Sequence, residues 1–125
     1  MKSICIVMAF AVTAASSSSQ AQAPSLPLGA GRPATPGITR TTLKDDAKVT
    51  VTRVQFEPGA GEPPHTHATD VILVPVASGP VEVGVGDATM TSLKAGEVQF
   101  VARDVVHHVK NTGTERFELI AIALK

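Results

Sequence analysis

His65-Thr66-His67, joined by His107 further along the chain, are the side chains best suited to chemistry. Along an extended strand, residues i and i+2 face the same way, so His65 and His67 present two imidazoles to one side of a sheet. A third imidazole must come from another element. His107 lies in Val105-Val106-His107-His108-Val109, a strand-like run that a neighbouring position in the sheet would bring to the same cavity. Neutral imidazole nitrogens suit iron, nickel, copper and zinc, and a set of three leaves coordination positions open for water or substrate. His108, adjacent to His107 on such a strand, points the other way and reads as a packing or surface residue.

The carboxylates near these histidines are ambiguous. If the strand continues regularly beyond His67, Asp70 faces outward and Val71 takes the fourth place around the metal. A bulge would turn Asp70 inward, so Asp70 stands as a further candidate ligand. Glu62 belongs to Gly59-Ala60-Gly61-Glu62-Pro63-Pro64, which reads as a loop with a solvated charge, the lesser alternative being that Glu62 reaches the metal. Asn111 opens Asn111-Thr112-Gly113 and reads as a turn residue. Three imidazoles without a carboxylate would leave the metal more positive and favour anionic ligands. Gly84-Val85-Gly86-Asp87 is a hairpin turn rather than a phosphate loop, because no helix follows it. The chain contains no Gly-x-Ser-x-Gly elbow.

The elements that must position these residues have a strand period. Val49, Val51 and Arg53 alternate with Thr50, Thr52 and Val54, and Val81, Val83 and Val85 alternate with Glu82 and Gly84. Further strand-like runs are 71–76, 88–93, 97–101, 105–110 and 116–124. Turn residues separate them at Asp45-Asp46, Gly59-Ala60-Gly61, Ser78-Gly79-Pro80, Gly86-Asp87, Ala95-Gly96 and Gly113. Short strands at this spacing predict an all-β antiparallel sandwich or barrel. With no Trp or Tyr in the chain, the pocket walls are expected to be mostly valine, leucine, alanine and methionine, suited to a small, partly apolar ligand.

The motif spacing resembles that of the cupins. Their first motif sets a glycine, five intervening residues, His-x-His, then a glutamate and a later glycine; Gly59, His65, His67 and Gly79 match it. The glutamate position holds Val71 or Ile72. In the second motif Gly96, His107 and Asn111 match, with Ala102 in place of the proline and Asp104 in place of the second glycine. The resemblance implies a single cupin jelly-roll β-barrel over residues 38–125, with His65, His67 and His107 holding a divalent transition metal inside one mouth. Iron is the favoured metal; nickel, manganese, copper and zinc suit the same ligands. Three-histidine cupin sites are similar to those of ferrous dioxygenases. The expected activity is therefore a dioxygenase-like reaction on a small chelating acid or diketone, and the alternative is a non-catalytic module binding a metal or small molecule.

The first 23 residues have the outline of a secretory signal peptide, with Lys2, an apolar run from Ile4 to Ala15, and cleavage after Ala21 or Ala23. The apolar run is shorter than the ~20 residues a membrane-spanning helix needs, so no membrane anchor is expected after cleavage. Export to the periplasm or outside the cell follows, and the sole cysteine, Cys5, leaves with the signal. Residues 24–37 are rich in proline and glycine and read as an extended or disordered arm. The net charge is zero, with 11 Lys+Arg and 11 Asp+Glu and no basic patch for nucleic acid. Leu119-Ile120-Ala121-Ile122-Ala123-Leu124 is apolar on both faces of a strand, so one face needs cover from the arm or from a second subunit, and a homodimer is expected.

Overall fold

The computed structural model describes residues 34–125. The expected signal segment, residues 1–23, and most of the expected arm over 24–37 lie outside these residues. Among the described residues there are nine strands and no helix: β1 (Ile38–Asp45), β2 (Val49–Phe56), β3 (Gly61–His65), β4 (Val71–Pro75), β5 (Gly79–Val85), β6 (Ala88–Leu93), β7 (Gln99–Val101), β8 (His107–Asn111) and β9 (Phe117–Leu124). They form a five-stranded sheet in the order β1-β2-β9-β4-β7 and a four-stranded sheet in the order β3-β8-β5-β6. All pairings are antiparallel. The architecture is the expected all-β jelly-roll barrel.

β-branched residues are most frequent in β2 and β4, where branched side chains pack well on a pleated surface. β9 alternates buried and half-buried residues along its whole length, with Phe117, Leu119, Ala121 and Ala123 facing the core. β2 pairs with it in unbroken register from Val49 against Leu124 to Phe56 against Phe117. That register turns Thr50, Thr52, Val54 and Phe56 inward and leaves Val49 and Val51 half-buried on the outer face. The four-stranded sheet closes the other side with Val81, Val83 and Val109, so one apolar core lies between the two sheets.

Tight turns sit where their side chains demand them. Asp46 joins β1 to β2, its Oδ1 accepting from the backbone N–H groups of Lys48 (2.8 Å) and Val49 (3.0 Å). These bonds hold its carboxyl down at about 2. Gly86, at φ 57°, occupies the β5–β6 hairpin in the left-handed conformation that glycine adopts without steric cost. β1 was not expected as a strand, and the strand expected to carry both His65 and His67 starts earlier, at Gly61, and ends at His65. β1 is largely exposed and pairs only with β2. β3 runs through the segment read as a loop and reaches His65.

Candidate metal centre

β3 and β8 lie side by side and place His65 directly opposite His107. Further along the pair, Glu62 opposes Val109 and Gly61 opposes Lys110, so three residue steps on β3 match two on β8. The extra residue is a bulge, and Pro63-Pro64 occupies it. Proline lacks the N–H that a ladder would require, and an irregularity of this kind accommodates it. His67 follows just beyond β3. Its carbonyl accepts from Asp104 N–H at 2.9 Å, which pins the segment after β3 to the turn before β8. Asp104 adopts φ 62°, the left-handed conformation for which the motif's second glycine is suited, so the turn keeps its shape although the residue differs.

The three imidazoles converge. His65, His67 and His107 are 0%, 4% and 3% exposed. Ring centroids are 4.9 Å apart for His65 and His67, 4.2 Å for His65 and His107, and 4.9 Å for His67 and His107. One ligand nitrogen from each lies within 4.8 Å of the other two. Among the described residues, these three form the group able to hold a metal ion. His65 Nδ1 stands 2.7 Å from the carbonyl of Pro63. A carbonyl oxygen only accepts, so Nδ1 carries the proton, and Nε2 faces Glu62 Oε2 at 3.4 Å. Such a backbone anchor fixes ring orientation around a metal. His107 Nδ1 has a longer contact, 3.4 Å, with the carbonyl of Val105.

Burial holds the His107 imidazole down at about 4, with the neighbouring His65 and His67 rings acting in the same direction. At neutral pH it is therefore an unprotonated nitrogen donor, the form a metal needs. The donor set and its orientation fit a divalent transition metal.

Beside the trio lies a cavity of about 20 Å³, lined by Val54, Phe56, Leu73, Val109, Leu119 and Ala121 with Glu62, His67 and His107. The walls are mostly the small aliphatic residues expected, with Phe56 added. Space of this order holds roughly one water-sized particle.

Glu62 differs from its expected role as a solvated loop charge. It is 8% exposed and forms an ion pair with Arg40 of β1, while its Oε2 lies 3.4 Å from His65 Nε2. The cause is the bulge. Counting back from His65 by twos puts position 62 on the outer face, but one inserted residue reverses the parity and carries Glu62 inward. The consecutive prolines are the sequence signal that marked it.

The remaining candidates stand elsewhere. Asp70 lies outside the trio, and its Oδ1 accepts from Arg103 N–H at 2.9 Å. Val71, fully buried, faces the core at the start of β4, but no regular strand links it to the histidines, since β3 ends at His65 and residues 67–70 are irregular. His108 points away from the cavity, as expected, and its Nε2 meets Glu82 Oε1 at 2.9 Å. Its ring lies flat on Gly84, where an added Cβ would come within 2.3 Å of the imidazole. Asn111 is more than a turn residue. It is 1% exposed, donates from Nδ2 to the carbonyls of Phe56 (3.0 Å) and Glu115 (2.7 Å), and accepts at Oδ1 from Gly113 N–H (2.9 Å). It ties the end of β2 and the β8–β9 turn to the strand that carries His107.

Comparison with known proteins agrees with this architecture. The family model described as "Cupin domain" matches residues 52–123. The β-alanine degradation protein BauB of Pseudomonas aeruginosa is 33% identical over 92 residues, covering 72% of this chain and 96% of that protein. Germin-like protein subfamily 2 member 2 of Arabidopsis thaliana is 36% identical over 69 residues, covering 52% of this chain; the match spans about a third of that relative, 32% of its length. Among solved structures, a cupin domain from Bordetella pertussis superimposes with a TM-score of 0.63 at 29% identity, covering 74% of this chain and 97% of that one. KdgF from Halomonas sp. gives a TM-score of 0.64 at 21% identity, covering 75% and 84%.

Proposed function

This chain belongs to the cupin family, and from that premise we propose that it is an exported metal-dependent cupin, an iron-dependent dioxygenase-like enzyme acting on a small chelating acid or diketone. The observation that carries the reading is the buried trio His65, His67 and His107, whose ligand nitrogens lie within 4.8 Å of one another. A bound metal supplies Lewis acidity and a redox centre at the cavity. The chain's own residues do the rest. The Pro63 carbonyl holds His65 in one tautomer, His107 is kept unprotonated, and the aliphatic walls keep bulk water from the site. A small acid also suits the relative named for β-alanine degradation.

The second reading is a non-catalytic module that holds a metal or small molecule. Its support is the cavity of about 20 Å³, which accommodates an ion or a single water but requires its walls to move before a chelating substrate enters. The experiment that tests both readings is the metal content of mature protein beside a His107→Ala variant, followed by oxygen uptake of the iron-loaded wild type with candidate acids and diketones. About one metal per chain in wild type and none in the variant is the expected result. Oxygen uptake selects the enzyme, and its absence selects the module. If wild type stays metal-free after challenge with iron, nickel, copper, manganese and zinc, the metal reading falls.

We also propose that the protein is a homodimer. Phe100 and Val98, each 57% exposed, and Val76, 50% exposed, extend the half-buried outer residues Ile72 and Val74 near the β7 edge of the five-stranded sheet. An apolar surface of this kind at a sheet edge calls for cover, and a second copy supplies it.

A further inference from the structure

An ion pair stands between the metal cavity and the surface. β1 and β3 are edge strands of the two sheets, and among the described residues β1 pairs only with β2 and β3 only with β8. Across the seam between these edges Arg40 Nη2 donates to Glu62 Oε1, the two side chains being 10% and 8% exposed. Glu62 lines both the cavity of about 20 Å³ beside the histidines and an open groove of about 530 Å³, which Pro63, Pro64, His108 and Lys110 also line. We propose that Arg40 is the recognition residue for a small carboxylate ligand and that Glu62 occupies that ligand's place until it arrives, as a latch on the passage from groove to cavity. The proposal takes its ligand class from the small-acid reading above and deepens it.

Three observations carry it. The first is a half-filled fork. A guanidinium offers its Nε and Nη2 N–H groups along one edge, matched to the two oxygens of a carboxylate. Arg40 Nε is buried without a hydrogen-bond partner, while Glu62 gives the guanidinium Oε1 and turns Oε2 to within 3.4 Å of His65 Nε2. A carboxylate without that second contact can take both N–H groups, which makes it a better partner for Arg40 than Glu62 is. The second observation is room. The cavity holds roughly one water-sized particle, but propionate matches the Glu62 side chain beyond Cα in its carbon and oxygen atoms. Rotation of Glu62 toward the groove therefore vacates the space such a ligand needs, and Lys110 offers the displaced carboxylate a cation there.

The third observation is charge. Arg40 lies opposite Val54, a wall of the metal cavity. Departure of Glu62 alone would leave a buried guanidinium without its counter-ion, which is strongly unfavourable. An incoming carboxylate restores the balance. The latch thus opens to small anions and stays shut to neutral molecules of the same size.

The test uses the full chain, Zn²⁺-loaded and chelator-treated, with propionate as the probe and propionamide as its neutral counterpart. The NMR signal of the Arg40 Nε–H group is assigned by its absence in the double variant Arg40→Met/Glu62→Gln and followed in wild type, which needs no variant to be fully stable. Affinity is measured by calorimetry. Propionate should shift the Arg40 signal in both forms of wild type, and propionamide should bind at least about tenfold more weakly. Glu62→Gln keeps the size of the side chain but removes the competing charge, so propionate should bind it at least about fivefold more tightly than wild type. The double variant removes both buried charges together and should lose propionate. An Arg40 signal that propionate leaves unmoved overturns the proposal. So does equal affinity for propionamide, a Glu62→Gln variant that binds no more tightly than wild type, or propionate retained by the double variant, which would place the anion on the metal. Protein that takes up Zn²⁺ without the Arg40 shift keeps the histidine site and loses this proposal; protein that shows the shift but takes up no Zn²⁺ loses the metal reading and keeps the carboxylate site.

Discussion

Acidifying the metal-free protein should destabilise it well before its carboxylates titrate, and His107 is the reason. Its imidazole is pushed down from 6.5 to about 4 in the folded chain, chiefly by burial and then by the His65 and His67 rings. In the unfolded chain the same group titrates near its ordinary value. Between these two values the unfolded state binds a proton that the folded state refuses, so stability falls as pH falls through that window. Well above pH 6.5 both states are neutral and His107 contributes no pH dependence; well below about 4 both are protonated and the loss is complete. At about 1.4 kcal/mol per unit of pKa difference, the full loss is about 3 kcal/mol, of which roughly 2 has gone by pH 5. That is a large share of the ~5–15 kcal/mol that stabilises a typical domain. Urea unfolding of chelator-treated protein at pH 7.5, 6.5, 5.5 and 5.0 measures it, beside a His107→Gln variant that cannot titrate. The variant should lose about 2 kcal/mol less than wild type between pH 7.5 and 5.0. Equal slopes for the two proteins would refute the reasoning.

Replacing Asn111 by alanine removes hydrogen bonds to Phe56 O, Glu115 O and Gly113 N–H at a site that is 1% exposed. The backbone groups left behind are poorly placed to reach water, so a loss of about 2–4 kcal/mol in urea unfolding is expected. If the outer face of the five-stranded sheet is a dimer interface, Phe100→Glu should convert the dimer to monomer in light scattering coupled to size exclusion, with secondary structure unchanged. A wild-type protein that is monomeric at all concentrations would remove the dimer.

The histidine trio was legible because its spacing matches across two motifs, although β3 ends at His65 and His67 lies just beyond the strand expected to carry both. β6 and β9 were equally plain, since Ala88–Leu93 and Phe117–Leu124 are bounded by clear turn residues. β1 was not, because Ile-Thr-Arg-Thr-Thr-Leu-Lys-Asp carries no buried apolar stripe and owes its form to pairing with β2. β5 begins at Gly79, within a segment read as a turn, because the following edge pairing with β6 tolerates Pro80 at an irregular register. Glu62 was misread for a sharper reason. Its face is decided by pairing with β8, and no window of local sequence contains that information. Asn111 was read as a turn residue but closes β8, and its three partners come from β2 and from the approach to β9, which only the folded barrel brings near.

The two prolines of β3 decouple spacing along the chain from spacing along the barrel. On an unbroken strand position 62 would face outward, and the residue absorbed by the bulge is what keeps Glu62 opposite Val109 and inward. Deleting either proline would set Glu62 two residues before His65, inward by plain alternation, so the buried carboxylate and its Arg40 partner are expected to tolerate a single-codon deletion here. For sequences of this shape, a carboxylate's distance from His-x-His is counted along the ladder, where a bulge residue does not register, and not along the chain.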